Sequence, residues 1–194
     1  MKKYELTTET LQFAGRTLHR IKAVKDFDSI KAGEFGGWIE NEKNLSQDDN
    51  AWIYGNAMVF DNAMVFDNAK VYGNAKVYDN ANVSDYAKVY GNAEVYGNAN
   101  ISYYAKVYGN AVIKGDAIVH DAVDYIVFKN FWSSGRYFTW TSSNNKWSVG
   151  CFYGTGEELI KKAYADSEKS GREYERVVRY VESILADEKK EKSN

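Results

Sequence analysis

The chain has 194 residues, enough for one domain with small attachments to bury a core without metal or disulfide staples. Its 25 basic and 27 acidic residues give a net charge of -2, which excludes bulk nucleic-acid binding, and 44% hydrophobic residues exclude a disordered tail. The single Cys151 can form no internal disulfide, and no Cys/His spacing is typical of a metal site. Residues 1–30 lack an apolar run typical of a leader or a membrane span, so we expect a cytoplasmic protein that binds neither membrane nor metal.

Residues 1–46 do not repeat and are predicted to form an N-terminal β cap. Residues 4–6 and 16–26 are predicted strands separated by Ala14-Gly15, and residues 33–37 form a turn that leads into a strand at 38–40. The repeat that follows would expose apolar core and strand edges at its end, so it needs such a cap.

Eleven hexads follow one another between Ile53 and Ile118, with worn units at 47–52 and 119–124. Position one is always Val or Ile, position five is always Ala, and position four is Asn in eight of the eleven. Because Ala and the next Val or Ile are two positions apart, a strand places them on one face. Gly-Asn or Asp-Asn supplies the bend, since these residues tolerate left-handed backbone. Each unit is therefore a short strand and a turn around a narrow core of Val and Ala.

A second, longer period sets the shape of the coil. Ala-Lys-Val-Tyr recurs at 69, 87 and 105, and the two aberrant units VSDYAK and ISYYAK begin at 83 and 101. The repeat distance is therefore three hexads. Three units per turn predict a triangular coil with three flat faces, whereas a two-sided solenoid would repeat with every second unit. Residues 47–124 would then make about four coils.

This pattern resembles the left-handed β-helix of the hexapeptide-repeat family, because all eleven units carry an aliphatic residue and a small residue four places on. The resemblance implies a left-handed parallel coil and a homo-oligomer, with a trimer favoured. It does not fix a function, since one fold hosts many.

Residues 125–194 are predicted to form a small βββαα domain. Strands are expected at 125–132, 136–142 and 146–152, and Thr155 and Glu158 form a capping box that opens a helix to about residue 165. A second helix begins near Arg172 with an apolar stripe through Tyr174, Val177 and Val181. Residues 187–194 are charged or polar, and we expect a frayed tail there.

The arrangement as a whole resembles a group of phage and prophage β-helix proteins that carry labels such as acyltransferase or polymer-forming protein. The resembling stretches are residues 15–18, 36–40 and 147–155, which read GRTL, GGWIE and WSVGCFYGT. If a phage encodes the chain, its place would be the host cytoplasm.

One face of the predicted coil carries lysines and tyrosines in register, and two further tyrosines sit at its corner. Stacked rings beside amines suit a small anionic, nucleotide-like ligand, and a crevice between subunits would be its natural site. The alternative is that these residues only cover an exposed sheet, because Tyr favours strands and Lys prevents strand pairing. The candidate residues are Lys70, Tyr72, Lys88, Tyr90, Lys106, Tyr108, Tyr86 and Tyr104.

Catalysis is the weaker hypothesis. The resemblance implies acyl transfer from coenzyme A with a histidine base and often an inserted loop, but these eleven units run without insertion. His120, near Ser102 and Asp121, is the runner-up base. We expect Cys151 to be a small buried residue. Two interpretations remain for Arg136 and the nearby Trp132, Trp140 and Trp147: the rings form a small core, or they line a pocket that Arg136 closes.

Three functions remain at this point. The first is a non-catalytic, oligomeric phage-type protein that sequesters a small anionic ligand, such as a nucleotide signal of host defence, and needs no cofactor. The second is an acyltransferase that uses acetyl-CoA. The third is a scaffold that docks a protein partner, although two non-repeating ends argue against end-to-end polymerisation.

Overall fold

The computed structural model describes residues 2–191. β1 (Tyr4–Phe13) and β2 (Arg16–Ala23) form an antiparallel hairpin, and β3 (Phe35–Ile39) pairs antiparallel with β2. Ala14 and Gly15 make the turn, as predicted, with φ of 50° and 77°.

Gly36 and Gly37 lie inside β3 and not in the predicted turn. A Cβ on Gly36 would sit 2.5 Å from Ile21, and one on Gly37 would sit 2.5 Å from Ile53. These glycines are needed because the cap packs closely against the coil. In a sequence, glycines with this role cannot be distinguished from glycines that form a turn.

The repeat forms a β-solenoid in which each strand consists of one outward-facing residue and one residue buried in the core; only in β4 is the outward residue, Trp52, itself covered. Strands of successive turns pair in parallel, so that Lys70, Lys88 and Lys106 are register partners, one on each turn. The predicted three faces are confirmed as three parallel sheets. The strands are β4 (Trp52–Ile53), β5 (Met58–Val59), β6 (Met64–Val65), β7 (Lys70–Val71), β8 (Lys76–Val77), β9 (Asn82–Val83), β10 (Lys88–Val89), β11 (Glu94–Val95), β12 (Asn100–Ile101), β13 (Lys106–Val107), β14 (Val112–Ile113) and β15 (Ile118–Val119).

The solenoid has about five turns, one more than the sequence predicts. The additional turn comes from the cap, because Trp38 of β3 pairs in parallel with Met58 and Leu45 bridges to Val65. In both pairs the spacing along the chain is two positions longer than three hexads, so the period alone does not reveal this turn.

The core is a stack of small aliphatic side chains. The Ala of every unit and the Val or Ile after it are fully buried, from Ala51 to Val119. At the N-terminal end the cap residues Tyr4 and Phe27 cover Trp52, with ring centroids 6.2 and 5.3 Å away. The buried Lys3 ammonium donates to the carbonyls of Asp48 and Ala51 at 2.9 and 3.0 Å. These contacts satisfy backbone acceptors that no earlier turn could reach.

The C-terminal domain has four strands, and not the predicted three. β16 (Tyr125–Lys129), β17 (Tyr137–Thr141), β18 (Lys146–Val149) and β19 (Phe152–Gly154) form one antiparallel sheet. The predicted strand at 146–152 is divided because Gly150 adopts a φ of 56° and turns the chain.

Two helices follow this sheet. α1 (Gly156–Asp166) begins at the predicted capping box, and α2 (Glu168–Glu191) starts one helical turn before the predicted Arg172. The expected frayed tail lies partly within α2, while residues 192–194 lie outside the described residues. Neither α1 nor α2 is long and apolar enough to be a membrane span.

The C-terminal domain covers the last turn of the solenoid. Val112 donates its amide to Thr139 Oγ1 at 2.9 Å, and Ile118 donates its amide to Ser143 Oγ at 2.8 Å. Tyr125 donates its hydroxyl to the Lys106 carbonyl at 2.9 Å. Backbone groups that would otherwise pair with a further turn are thus satisfied by side chains, which blunts this edge.

Candidate ligand-binding groove

A groove of about 830 Å³ runs along one corner of the solenoid. One wall is the lysine column, Lys70, Lys88 and Lys106. The other wall, which we name the corner column, consists of the fourth residue of every third unit, one from each turn: Asn50, Asn68, Tyr86, Tyr104 and Ala122.

The hexad explains the shape of this groove. The alanines between the two columns, Ala69, Ala87 and Ala105, are fully buried and point into the core. Nothing therefore projects outward between the columns, and the coil repeat places wall residues about 4.8 Å apart along the axis. The volume lies within the range of small-molecule sites.

The three lysines are not equivalent. Lys70 Nζ donates to Asp28 Oδ2 and to the Asn50 carbonyl, both at 2.7 Å, and only 15% of its side chain is exposed. The contact with Lys70 holds the pKa of the Asp28 carboxyl below its usual range. Lys88 and Lys106 are exposed, and their ammonium groups make neither an ion pair nor a hydrogen bond to any of residues 2–191. The two unpaired ammonium groups thus lie in the C-terminal half of the groove, where the Asp121 side chain also lines the wall and leaves one net positive charge.

The two corner tyrosines form a parallel stack beside those free lysines. The rings of Tyr86 and Tyr104 are 5.3 Å apart and inclined by 9°. Tyr104 is 72% exposed because the next residue of the corner column is Ala122, which offers no ring to cover it. The outer face of Tyr104 is therefore an open aromatic platform.

The other tyrosines of the predicted site stack on the opposite side of the lysines. Tyr72, Tyr90 and Tyr108, named here the tyrosine column, have successive ring separations of 4.8 and 5.3 Å. None of them lines the groove, although Tyr72 joins Lys70 and Lys88 around a shallower depression of about 520 Å³.

Arg136 is not brought together with the other predicted residues. It lines a separate cavity of about 380 Å³ in the C-terminal domain. Cys151 lines that same cavity and is exposed, so the expectation that it is buried is wrong, because the turn at Gly150 carries it outward. Trp140 and Trp147 are buried in the core of this domain.

His120 lies beyond the groove on the last turn of the coil. Its ring packs edge-on against Tyr103 with centroids 4.8 Å apart, and its backbone amide donates to Asp124 Oδ2 at 2.7 Å. Within the part of the chain that the structure describes, no side chain forms a hydrogen bond that would orient the imidazole. A general base is ordinarily oriented by such a partner.

Sequence reasoning missed Asp28 and the asparagines Asn50 and Asn68 of the groove. The asparagines occupy the fourth position of their units, so the three-hexad period could have placed them. Asp28 lies in the non-repeating cap with a φ of 46°, and no sequence signal links it to Lys70, far along the chain.

Comparison with known proteins supports the β-solenoid fold of this chain. Residues 51–65 and 105–121 match the model of the YdcK β-solenoid repeat. A stretch of 62 residues is 39% identical to the "Uncharacterized acetyltransferase YdcK" of Escherichia coli (strain K12), covering 28% of this chain and 19% of that relative. The chain thus matches about a fifth of the relative's length. The coil geometry makes this chain a β-solenoid built from hexapeptide units, and both matches show that it is similar to the YdcK β-solenoid repeat and to a protein named as an acetyltransferase.

Proposed function

We propose that the protein binds a small anionic ligand that carries a planar ring in the groove between the lysine column and the corner column. The observation that carries the proposal is the juxtaposition of two unpaired ammonium groups, Lys88 and Lys106, with the stacked rings of Tyr86 and Tyr104. Amines attract phosphate or carboxylate oxygens, and aromatic faces stack on bases.

The position of the ring follows from the spacing of the tyrosines. At 5.3 Å the rings of Tyr86 and Tyr104 already contact each other, so no base fits between them. A planar ring would instead stack on the outer face of Tyr104, above Ala122. Lys106 lies on the next strand beside this platform and Lys88 lies one turn away, so both ammonium groups are placed for the anionic end of the ligand.

The proposed role is sequestration without turnover. The groove offers charge and stacking, and within residues 2–191 it holds no histidine. The resemblance to phage and prophage proteins extends this proposal to a nucleotide signal of host defence in the host cytoplasm.

We also propose a homo-oligomer, with a trimer favoured. The tyrosine column presents stacked rings immediately beside the lysine column, and Tyr108 is 49% exposed. A neighbouring subunit on these rings would deepen the groove into a crevice and bury apolar surface that would otherwise face water.

Isothermal titration with ADP and adenosine tests the function. ADP should bind, adenosine should bind much more weakly, and Lys88→Ala with Lys106→Ala should weaken ADP binding by roughly tenfold or more. Ala122→Tyr should block the platform by adding a third ring, whereas Lys129→Ala, which removes a lysine outside the groove, should leave ADP affinity unchanged.

Equal ADP affinity in the double lysine variant and the unchanged protein would refute the site. Native mass spectrometry of the freshly purified protein would identify any ligand retained.

Acetyl-CoA binding with acetyl transfer is the second candidate, and the name of the relative favours it. His120 would then act as the base. This candidate predicts turnover of acetyl-CoA that His120→Ala abolishes, and the absence of acetyl-CoA binding at millimolar concentration would exclude it.

A further inference from the structure

A second cavity, of about 380 Å³, opens to solvent on the C-terminal domain, away from the solenoid groove, and its Arg136, Cys151 and Asp166 are exposed. The connection after β16, the turn between β18 and β19, and the helices α1 and α2 line it. We name it the C-terminal cavity. Its lining combines an apolar wall (Val149, Phe152 and Leu159) with polar groups (Asn130, Arg136 and Tyr174).

The hydroxyl of Tyr174 has an unused proton at this cavity. Tyr174 is 8% exposed, and its oxygen accepts a hydrogen bond of 3.0 Å from Asn130 Nδ2. The Asn130 amide is fixed in that orientation, because its Oδ1 already accepts from the amide and the hydroxyl of Ser133 at 2.9 and 3.1 Å. Among residues 2–191 no acceptor receives the Tyr174 proton, so the hydroxyl can donate to a ligand in the cavity while it accepts from Asn130.

Three charged side chains line the same cavity and pair with nothing else. Arg136, Lys162 and Asp166 make no salt bridge or side-chain hydrogen bond within the described chain, although Lys162 and Asp166 are one helical turn apart on α1. Burial raises the pKa of Tyr174, the Arg136 charge lowers it and the Asp166 charge raises it, so both charges act at the hydroxyl. The cavity therefore carries one net positive charge.

We propose that the C-terminal cavity binds a small organic monocarboxylic acid. Its carboxylate accepts hydrogen bonds from the Tyr174 hydroxyl and the Arg136 guanidinium, and its apolar part packs against Val149, Phe152 and Leu159. Arg favours such planar two-oxygen acceptors. Because Asp166 offsets one of the two cationic charges, the lining matches a single carboxylate, which separates this ligand class from the more highly charged anions proposed for the solenoid groove.

Cys151 makes the test specific because it is the only cysteine of the chain and it lines the cavity. The rate of its reaction with N-ethylmaleimide is measured with hexanoate, and with hexanamide as the neutral counterpart. We expect hexanoate to slow the reaction saturably and hexanamide to have no effect. Arg136→Gln and Tyr174→Phe should each raise the hexanoate concentration for half-protection by about tenfold, the loss of one charge-assisted hydrogen bond.

Matched variants on α2 serve as controls. Arg176→Gln and Tyr180→Phe remove the same groups from exposed positions outside the cavity and should protect like the unchanged protein. The proposal is wrong if millimolar hexanoate protects Cys151 no better than hexanamide, or if Arg136→Gln is protected as well as the unchanged protein. Lys88→Ala should leave this protection intact, so failure here and failure of the solenoid groove are separate results.

Discussion

At the scale of single residues, one ion pair makes a lysine of the lysine column different from the two that are equivalent to it in the repeat. Lys70, Lys88 and Lys106 are equivalent in the three-hexad period, yet Asp28 neutralises only the first of them. An anion entering the groove therefore meets two available ammonium groups and one that is already occupied.

Removing the charge of Asp28 should strengthen anion binding. In Asp28→Asn the Lys70 ammonium becomes available to the ligand, and one more charge at about 4 Å in water contributes about 1 kcal/mol, roughly a fivefold gain in ADP affinity. Isothermal titration at low salt measures this gain, with Asp26→Asn as a control because Asp26 pairs with Lys31 outside the groove. A loss of affinity in Asp28→Asn would mean that Lys70 is not part of the site.

The sequence predicts the residues of the candidate site that belong to the repeat, but not the residue that the cap contributes. The period places Lys88, Lys106, Tyr86 and Tyr104 along one corner, since register follows from counting hexads. Asp28 reaches Lys70 only because the cap folds back over the coil, and Arg136 was grouped with these residues although it belongs to another domain.

At the scale of the element, the turn of each hexad explains its composition. The third residue of all eleven units has positive φ, and it is Gly or Asp except at Tyr103, which has a φ of 54°. Aspartates at this position also accept the amide of the next turn, as Asp85 Oδ2 does from Tyr103 at 2.8 Å. The predicted left-handed bend is thus confirmed at the third position, and the Asn after it forms side-chain bonds from turn to turn, such as Asn62 to Asn80 at 3.1 Å.

Two glycine substitutions separate backbone strain from crowding. Gly55 and Gly97 have φ of 60° and 74°, but an added Cβ meets nothing within 4 Å at Gly55 and lies 2.7 Å from the Gly115 nitrogen at Gly97. Gly55→Ala should cost about 1 kcal/mol of unfolding free energy, and Gly97→Ala should cost about 1–3 kcal/mol more. Urea denaturation measures both, and equal losses would contradict the close stacking of turns at Gly97.

The elements that the sequence did not predict share a physical cause. The short solenoid strands follow directly from the Ala and Val spacing. The beginning of β3 is missed because its glycines serve packing and resemble a turn, and β19 is missed because Gly150 interrupts an apparently continuous strand. In both places the structural role of a glycine depends on how the chain around it folds. A local sequence pattern does not contain that information.

At the scale of the whole molecule, buried tyrosines at both ends and on a face of the solenoid make the free energy of unfolding depend on alkaline pH. Burial raises the pKa of Tyr4 at the N-terminal end and of Tyr78 on a face, and raises that of Tyr125 at the C-terminal end to about 12. All three stay protonated in the folded chain at pH values where unfolded tyrosines ionise, near pH 10.

Stability should therefore fall as the pH rises above about 10. The unfolded state loses protons that the folded state keeps, so the contribution is complete below pH 10 and is lost as the pH passes the folded pKa. Tyr125 alone should account for about 1.4 kcal/mol of this loss by pH 11, one pH unit above the ordinary tyrosine pKa. Urea unfolding at pH 8 to 11 measures the slope, which should be shallower in Tyr125→Phe; a flat profile in the unchanged protein would contradict the burial of these hydroxyls.

The strict register of three hexads per turn also governs how such a chain can change its length. Removing one full turn, such as residues 70–87, would bring Lys88 beneath Trp52 and preserve every column, with the groove shortened by one lysine and one tyrosine. Removing a single hexad would move lysines from one face to the next and dismantle both walls at once. Insertions and deletions that preserve the groove must therefore contain whole turns. The length of the groove, and with it the size of the ligand it accepts, can change in steps of one turn while the types of wall residue stay the same.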